Sequence, residues 1–336
     1  GSPKEPWAGE PLPNGGRINM GAYGGTRQAS KGVARIVYHV DAINGNDSNS
    51  GLSRLRAFAT IQRGINATKH GDVVMVWPAV YVEEIDFRGK AVTVQSASQA
   101  AAVVAPSGYA FSFFKGEGPG SVLRNFIIRD SEYAIFCSGA KPTISNLTVV
   151  NNEFGIAAYD GADPKVVNCI LWNNTSGGLF QCKTVRYSRI QPEDPNEGEG
   201  NITDEPLFVE PGNADYHLRS EHGRHWPEHN VWVIDRLTSP CIDAGNPAVH
   251  PRRERMPNGG RLNMGAYGGT AYASMSEWTL RADLNRDGLI NMKDMAVMAD
   301  NWLDSLPWAP LEMIPVEVVG PLDGVVIPAR FRQQGY

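Results

Sequence analysis

The sequence predicts an all-β solenoid, a parallel β-helix of short coils stacked one above another. Three observations carry this: a repeat near 22 residues, short strands set between Asn and Gly corners, and an amphipathic segment placed to cover one open end. Asn125-Phe126-Ile127-Ile128, Asn146-Leu147-Thr148-Val149 and Asn168-Cys169-Ile170-Leu171 share one pattern at spacings of 21 and 22 residues. A degenerate copy, Tyr187-Ser188-Arg189-Ile190, follows after 19. Each of the first three leads through a polar pair (Arg129-Asp130, Asn151-Asn152, Asn173-Asn174) into a second apolar run, at 133–137, 155–159 and 178–182. Strands this short cannot bury a face alone, whereas stacked coils share one continuous core. Asn125, Asn146 and Asn168 fall in one slot, which predicts a ladder of amides at a bend. A ladder or a turn accounts for Asn146-Leu147-Thr148 and Asn173-Asn174-Thr175 without a sugar, although both match the N-glycosylation pattern.

A solenoid must cover its open ends. Residues 57–69 read as a helix that does so, with Phe58, Ile61, Ile65 and Thr68 on one face and Thr60 or Ala59 near its start. Gly71-Asp72 then turns the chain into a strand at 73–77, and Pro78 precedes a further run at 81–85. The chain has 336 residues, 36 of them Gly, with 42% hydrophobic side chains, enough for a substantial core and many tight turns. A net charge of −5 argues against nucleic acid, whose phosphates call for a clustered basic surface. No run reaches the roughly 18 apolar residues of a membrane span. The four cysteines lack metal spacing; Cys137, Cys169 and Cys182 sit in strand-like runs and read as packed core thiols, with a disulfide left open.

A longer repeat lies over the short one. Residues 13–26 read PNGGRINMGAYGGT and residues 257–270 read PNGGRLNMGAYGGT, differing at one position of fourteen. Tandem modules are the simplest source, so residues 1–30 are expected to be the tail of a preceding module and 31–274 the β-helix itself. The Asn-Gly-Gly and Tyr-Gly-Gly steps are turn chemistry, since glycine takes positive φ freely, and the motif reads as a structural end-piece.

Several segments resemble a known family. Tyr38-His39-Val40-Asp41, Gly45-Asn46-Asp47, Phe58-Ala59-Thr60-Ile61-Gln62, Gly71-Asp72-Val73-Val74 and Tyr81-Val82-Glu83-Glu84 look like the N-terminal end of pectate-lyase-like right-handed parallel β-helix proteins. Asp204-Glu205-Pro206-Leu207-Phe208-Val209, Asp215-Tyr216-His217-Leu218 and Ser239-Pro240-Cys241-Ile242-Asp243-Ala244-Gly245 resemble the C-terminal end of planctomycete-type secreted β-helix proteins. The resemblance covers about residues 33–274. It implies a secreted or cell-surface protein that works on or binds polysaccharide, and it leaves the activity open, because the superfamily holds lyases, hydrolases and binding modules.

Residues 275–306 carry a second signature. From Asp283 to Asp294 the chain offers oxygens at positions 1, 3, 5, 9 and 12 of a twelve-residue calcium loop, from Asp283, Asn285, Asp287, Asn291 and Asp294, with the Leu289 carbonyl at position 7 and Gly288 at the turn. Asp294 stands where an EF-hand has Glu. With Ile290 and the expected α-helix to Trp302-Leu303, the segment resembles a type I dockerin repeat, which implies calcium as cofactor and a cohesin-like partner. Dockerins usually carry two such repeats, and the sequence holds one. Residues 307–336 carry no motif and read as a linker or tail.

For chemistry, outward side chains of successive coils should align into a groove for an extended sugar chain. Glu153, Asp160 and Asp163 form the densest acidic group. Glycoside hydrolysis needs two carboxylates, roughly 5–5.5 Å apart for retention or 6.5–9.5 Å for inversion. Lys141, Lys183 and Arg186 would serve elimination from a uronate by neutralising a carboxylate or acting as base. Tyr159 and Trp226 are candidate sugar-stacking residues. Asp160 and Asp163 lie in an Asp-Gly-Ala-Asp-Pro stretch that also reads as an ordinary turn, and 221–229 reads as an exposed loop insertion. Two readings stand: a polysaccharide lyase or glycoside hydrolase acting on plant or algal cell-wall glycans, and a non-catalytic carbohydrate-binding or surface-attachment module.

Overall fold

The structure, a computed structural model, describes residues 35–97, 101–104, 107–194, 198–251 and 253–277, with isolated positions at 292, 295–296, 315–316 and 327–328. It is the expected parallel β-helix. Sheet A contains β1 (Val37–Val40), β2 (Val73–Val76), β5 (Thr93–Ser96), β8 (Val122–Arg124), β11 (Thr143–Ser145), β14 (Lys165–Val167) and β17 (Val185–Arg186). Sheet B contains β3 (Val80–Val82), β6 (Ala101–Val104), β9 (Phe126–Arg129), β12 (Thr148–Val150) and β15 (Ile170–Trp172). Sheet C contains β4 (Ile85–Asp86), β7 (Tyr109–Phe113), β10 (Tyr133–Ser138), β13 (Phe154–Tyr159) and β16 (Leu179–Phe180). Five coils each give one strand to every sheet, and all the pairings within these sheets are parallel.

The repeat keeps like residues in register. Val74, Val94, Leu123, Ile144, Val166 and Val185 stand in one inward column of sheet A, each at most 1% exposed. Ile128, Val149 and Leu171 do the same in sheet B, and Phe111, Ile135 and Ile156 in sheet C. These columns meet in a single core, and their β-branched and aromatic side chains suit the pleated surface. The cysteines are free and buried, Cys137, Cys169 and Cys182 within this core, so the packing reading of the thiols holds.

The corner between sheets A and B is one residue in the left-handed region. Asn125, Asn146 and Asn168 have φ of 61°, 51° and 57°, and Tyr187 takes the slot at 48°. Asn tolerates this conformation better than other non-glycine residues, which is why it recurs there. The ladder is real but shared. Asn168 Nδ2 donates to Asn146 Oδ1 at 3.4 Å, while the Asn125 and Asn146 amides turn to backbone carbonyls of 263–268.

Helix α1 (Ile61–Ala67) covers the first coil and buries Ile61 and Ile65. It is shorter than the 57–69 expected. Carboxylates outside the helix fix its start: Asp47 accepts from the Ala59 and Thr60 N–H groups, and Glu83 accepts from those of Ile61 and Gln62. Thr60 is the N-cap and Thr68 the C-cap.

Residues 198–277 fold back over the outside of sheet B. They include two antiparallel hairpins, β18 (Phe208–Glu210) with β19 (Asp215–Leu218), and β20 (Arg224–Trp226) with β21 (Val231–Val233). The expected exposed loop at 221–229 is corrected here, because Arg224 and His225 are buried strand residues. The outward side chains Ile127, Val150 and Ile170 form a second core with Phe208, Tyr216, Leu218, Cys241, Ile242, Met264 and Ala266. The motif at 257–270 joins this cover through Met264 and Ala266, against the side of the solenoid. The tail at 1–30, the calcium loop at 283–294 and the segment 307–336 lie outside the described residues, isolated positions apart.

Candidate functional site

Covering sheet B leaves two solenoid faces to consider, and sheet C is distinctive in its chemistry. Inward residues alternate with outward ones along a strand. On β10 the outward positions carry Phe136 and Ser138, on β13 Ala157 and Tyr159, and on β16 Phe180. Each of β7, β10 and β13 also opens with an aromatic residue, Tyr109, Tyr133 and Phe154, paired in register across three coils.

The rings form one contiguous array. Tyr133 and Phe154 stack at 4.5 Å between centroids, Tyr109 and Phe136 lie 4.5 Å apart, and Phe136 and Tyr159 stack at 5.0 Å. Tyr159 meets Phe180 at 5.0 Å, and Phe114 joins through Tyr109 and Phe136 at 5.5 and 5.4 Å. Every one of the seven rings is at least partly exposed; Phe114 and Phe180 are 42% and 41% exposed. A sheet could cover its outside with Thr and Lys. Placing seven aromatic rings on one exposed face instead marks a surface built for contact.

Carboxylates flank the array at the corner between sheets B and C. Glu132 and Glu153 occupy the same position on adjacent coils, since Tyr133 pairs with Phe154 and the Phe154 N–H donates to the Glu132 carbonyl at 2.8 Å. Glu132 Oε2 accepts the Gly108 N–H at 2.8 Å, whereas Glu153 is exposed. Burial first, then the charges of Tyr159, Glu132, Tyr109 and Glu153, raise the Tyr133 phenol above its usual range.

Of the residues singled out from sequence, Tyr159 lies within the array and Glu153 at its edge. Asp160 and Asp163 lie at the opposite end of β13, a strand of six residues or about 20 Å, so Glu153 does not face them. Asp160 is a left-handed turn residue that accepts the Ser138 hydroxyl at 2.5 Å. Asp163 Oδ2 accepts from Thr184 at 3.1 Å, and its Oδ1 is buried without a partner among the described residues. Lys141 and Lys183 are exposed at the same corner, between sheets C and A. Arg186 stands on sheet A, 3.8 Å from Glu199. Trp226 is half-buried on the β20–β21 hairpin, its ring edge-on to His229 at 4.2 Å, away from sheet C. Tyr109, Phe114, Tyr133, Phe136, Phe154 and Phe180 were missed. The signal was an aromatic at the head of three successive sheet C strands, visible only once the coils are aligned.

His217 and His225 are interior. His217 Nδ1 contacts Asp215 at 2.6 Å and its ring stacks on Tyr267 at 3.7 Å, while burial pulls the His225 pKa down. A separate cleft of about 780 Å³ at the far end of the solenoid includes Trp172, Glu193 and Asp194. There Asp194 accepts the Gly178 and Leu179 N–H groups, which have no further coil to pair with. Among the described residues, no group of three or more His, Cys, Asp or Glu is placed to hold a metal, and no helix is long and apolar enough to cross a membrane.

Comparison with known proteins adds one likeness. No curated protein and no solved structure matches the chain. A family model described as disaggregatase related matches residues 93–245, from β5 through the covering segment that ends at Gly245, and agrees with a β-helix protein.

Proposed function

We propose that this protein engages polysaccharide along the outer face of sheet C, as a secreted or cell-surface protein. The observation that carries this is the seven-ring array from Phe114 to Phe180. A pyranose presents an apolar C–H face and a polar rim, so it stacks on an aromatic ring while its hydroxyls reach flanking polar groups. Coils repeat at about 4.8 Å, and the array spans four of them, which suits several units of an extended chain better than one small molecule. The disaggregatase-related likeness over 93–245 is in keeping with the β-helix that presents this face.

The test is binding across a panel of plant and algal cell-wall glycans. Tyr159→Ala with Phe180→Ala is expected to weaken binding at least tenfold while leaving the thermal midpoint within a few degrees, because both rings are partly exposed. Unchanged binding by a folded double variant would remove sheet C from the proposal.

Cleavage, by a lyase or a glycoside hydrolase, is the second reading, and the adjacent positions of Glu132 and Glu153 favour it. Their backbone positions lie one coil apart, about 4.8 Å, and glycoside hydrolysis works through a pair of neighbouring carboxylates. Reducing ends and the ultraviolet absorbance of unsaturated uronates, followed over the same panel, separate hydrolysis, elimination and binding alone. Glu153→Gln should abolish hydrolysis with binding retained.

Calcium at the dockerin-like segment, through Asp283, Asn285, Asp287, Leu289, Asn291 and Asp294, belongs to the same proposal, as does a cohesin-like partner. The donor set is all oxygen, as a hard cation requires. Calorimetric titration should give one site that Asp283→Ala eliminates. An unaltered stoichiometry in that variant would refute the assignment.

A further inference from the structure

The outer face of sheet A carries a second groove that differs from the aromatic array in place and chemistry. Register sets Gln95, Arg124, Ser145, Val167 and Arg186 in one outward column and Thr93, Val122, Thr143 and Lys165 in another. Residues 249–250, 253 and 268–272 wall this face and enclose a groove of about 760 Å³. Its cations are Arg124, Lys165 and Arg253, with His250 beside them, and its lining among the described residues contains no Asp or Glu. In a chain of net charge −5 that is a concentrated exception.

Among the described residues, Arg124, Lys165 and Arg253 have no ionic partner. Arg124 donates from Nε and Nη2 to a neutral acceptor, Gln95 Oε1. Burial first, then the like charges of Arg253 and Arg35, lower the Arg124 pKa. Holding guanidinium groups close together without a counter-charge is unfavourable, and an anion seated among them would relieve the repulsion. Guanidinium also matches planar and tetrahedral oxyanions through paired N–H donors.

We infer that this groove binds the anionic groups of a charged glycan, carboxylate or sulfate ester, through Arg124, Lys165 and Arg253. It rests on the polysaccharide proposal for the carrier alone, since its residues and its sheet are different. The salt dependence should be steep, because the contacts are ionic and all three cations, Arg124 included, keep exposed surface.

Affinity electrophoresis of the full chain in gels cast with dextran sulfate, polygalacturonate or neutral dextran tests it. The expected result is retardation by one or both polyanions, at least tenfold weaker for Lys165→Glu with Arg253→Glu. A control of equal charge change at the cap, Arg56→Glu with Lys69→Glu, should stay within twofold of the parent. Retardation by dextran sulfate alone assigns sulfate, by polygalacturonate alone carboxylate, and by both the shared oxyanion chemistry. Absence of retardation in both polyanions, equal retardation in neutral dextran, or equal loss in the control overturns the inference. If the double variant does not fold, Arg253→Gln, expected to lose about threefold, decides in its place. Tyr159→Ala with Phe180→Ala should keep polyanion retardation, so failure of the sheet C proposal and failure of this one are distinguishable.

Discussion

Glu254 shows how one side chain can set the behaviour of a covering segment. It is 6% exposed, and its Oε1 accepts the Asn263 and Gly269 N–H groups, tying down both ends of the Asn-Met-Gly-Ala-Tyr-Gly-Gly run. Burial, reinforced by the Asp243 charge and opposed by those two N–H donors, raises its pKa to about 7. The folded protein therefore holds this proton more tightly than the unfolded chain does. Stability from this group is complete below about pH 4.5 and declines as pH rises towards 7, by up to roughly 3 kcal/mol. The thermal midpoint should fall over that window in the parent, and Glu254→Gln should flatten that part of the profile. A variant profile parallel to the parent's would show that another group is responsible. Arg189, with no exposed surface, is another buried charge. It satisfies the Leu171, Thr203 and Asp204 carbonyls and lies 3.8 Å over the Trp172 ring, where the last coil ends. Neither role was legible in sequence, because each depends on partners many residues away.

Among the elements, legibility followed periodicity. The strands of the middle coils were readable because Asn125, Asn146 and Asn168 mark a corner that only a left-handed residue can turn, and the runs after them alternate as strands must. The buried second ladder, Asn152 Nδ2 to Asn174 Oδ1 at 2.9 Å and Asn174 Nδ2 to Gln191 Oε1 at 3.0 Å, was foreshadowed by the recurring Asn pairs. Gln191 as its third rung was not, since the coil spacing changes there. Helix α1 was found with its ends misplaced, because Asp47 and Glu83 reach it from outside its own sequence. The β20–β21 hairpin was missed outright: its Arg and His residues look like surface until Asp235 pairs with Arg224 at 3.0 Å and Asn230 with His225 at 3.1 Å. The candidate site suffered from the same lack of alignment. Tyr159 was visible singly, but an array is a property of stacked coils.

For the molecule as a whole, the decisive feature is the dependence of one face of the solenoid on the segment that returns to cover it. Ile127, Val150 and Ile170 point outward from sheet B and would be an apolar stripe without Met264, Ala266 and the β18–β19 hairpin over them. Seating is close at Gly268, where a Cβ would lie 2.0 Å from the Asn263 carbonyl oxygen and 2.6 Å from the Asn146 amide nitrogen. The first of these is backbone within the cover itself and cannot yield cheaply, and the second is the solenoid's corner amide, so Gly268→Ala should distort the segment and forfeit the corner contacts together, a cost of about 1–3 kcal/mol. The expected outcome is a lower thermal midpoint, faster proteolysis within 239–276 and increased binding of a hydrophobic dye, with the β content of the coils kept. Gly212→Ala, where a Cβ meets nothing within 4 Å, should leave all three readouts unchanged. If Gly268→Ala behaves like Gly212→Ala, the segment is not a tightly seated cover and sheet B must be stable exposed. If instead the coils lose their β signal along with the cover, the two cores fold as one unit, and the aromatic face of sheet C depends on a clasp on another side of the solenoid.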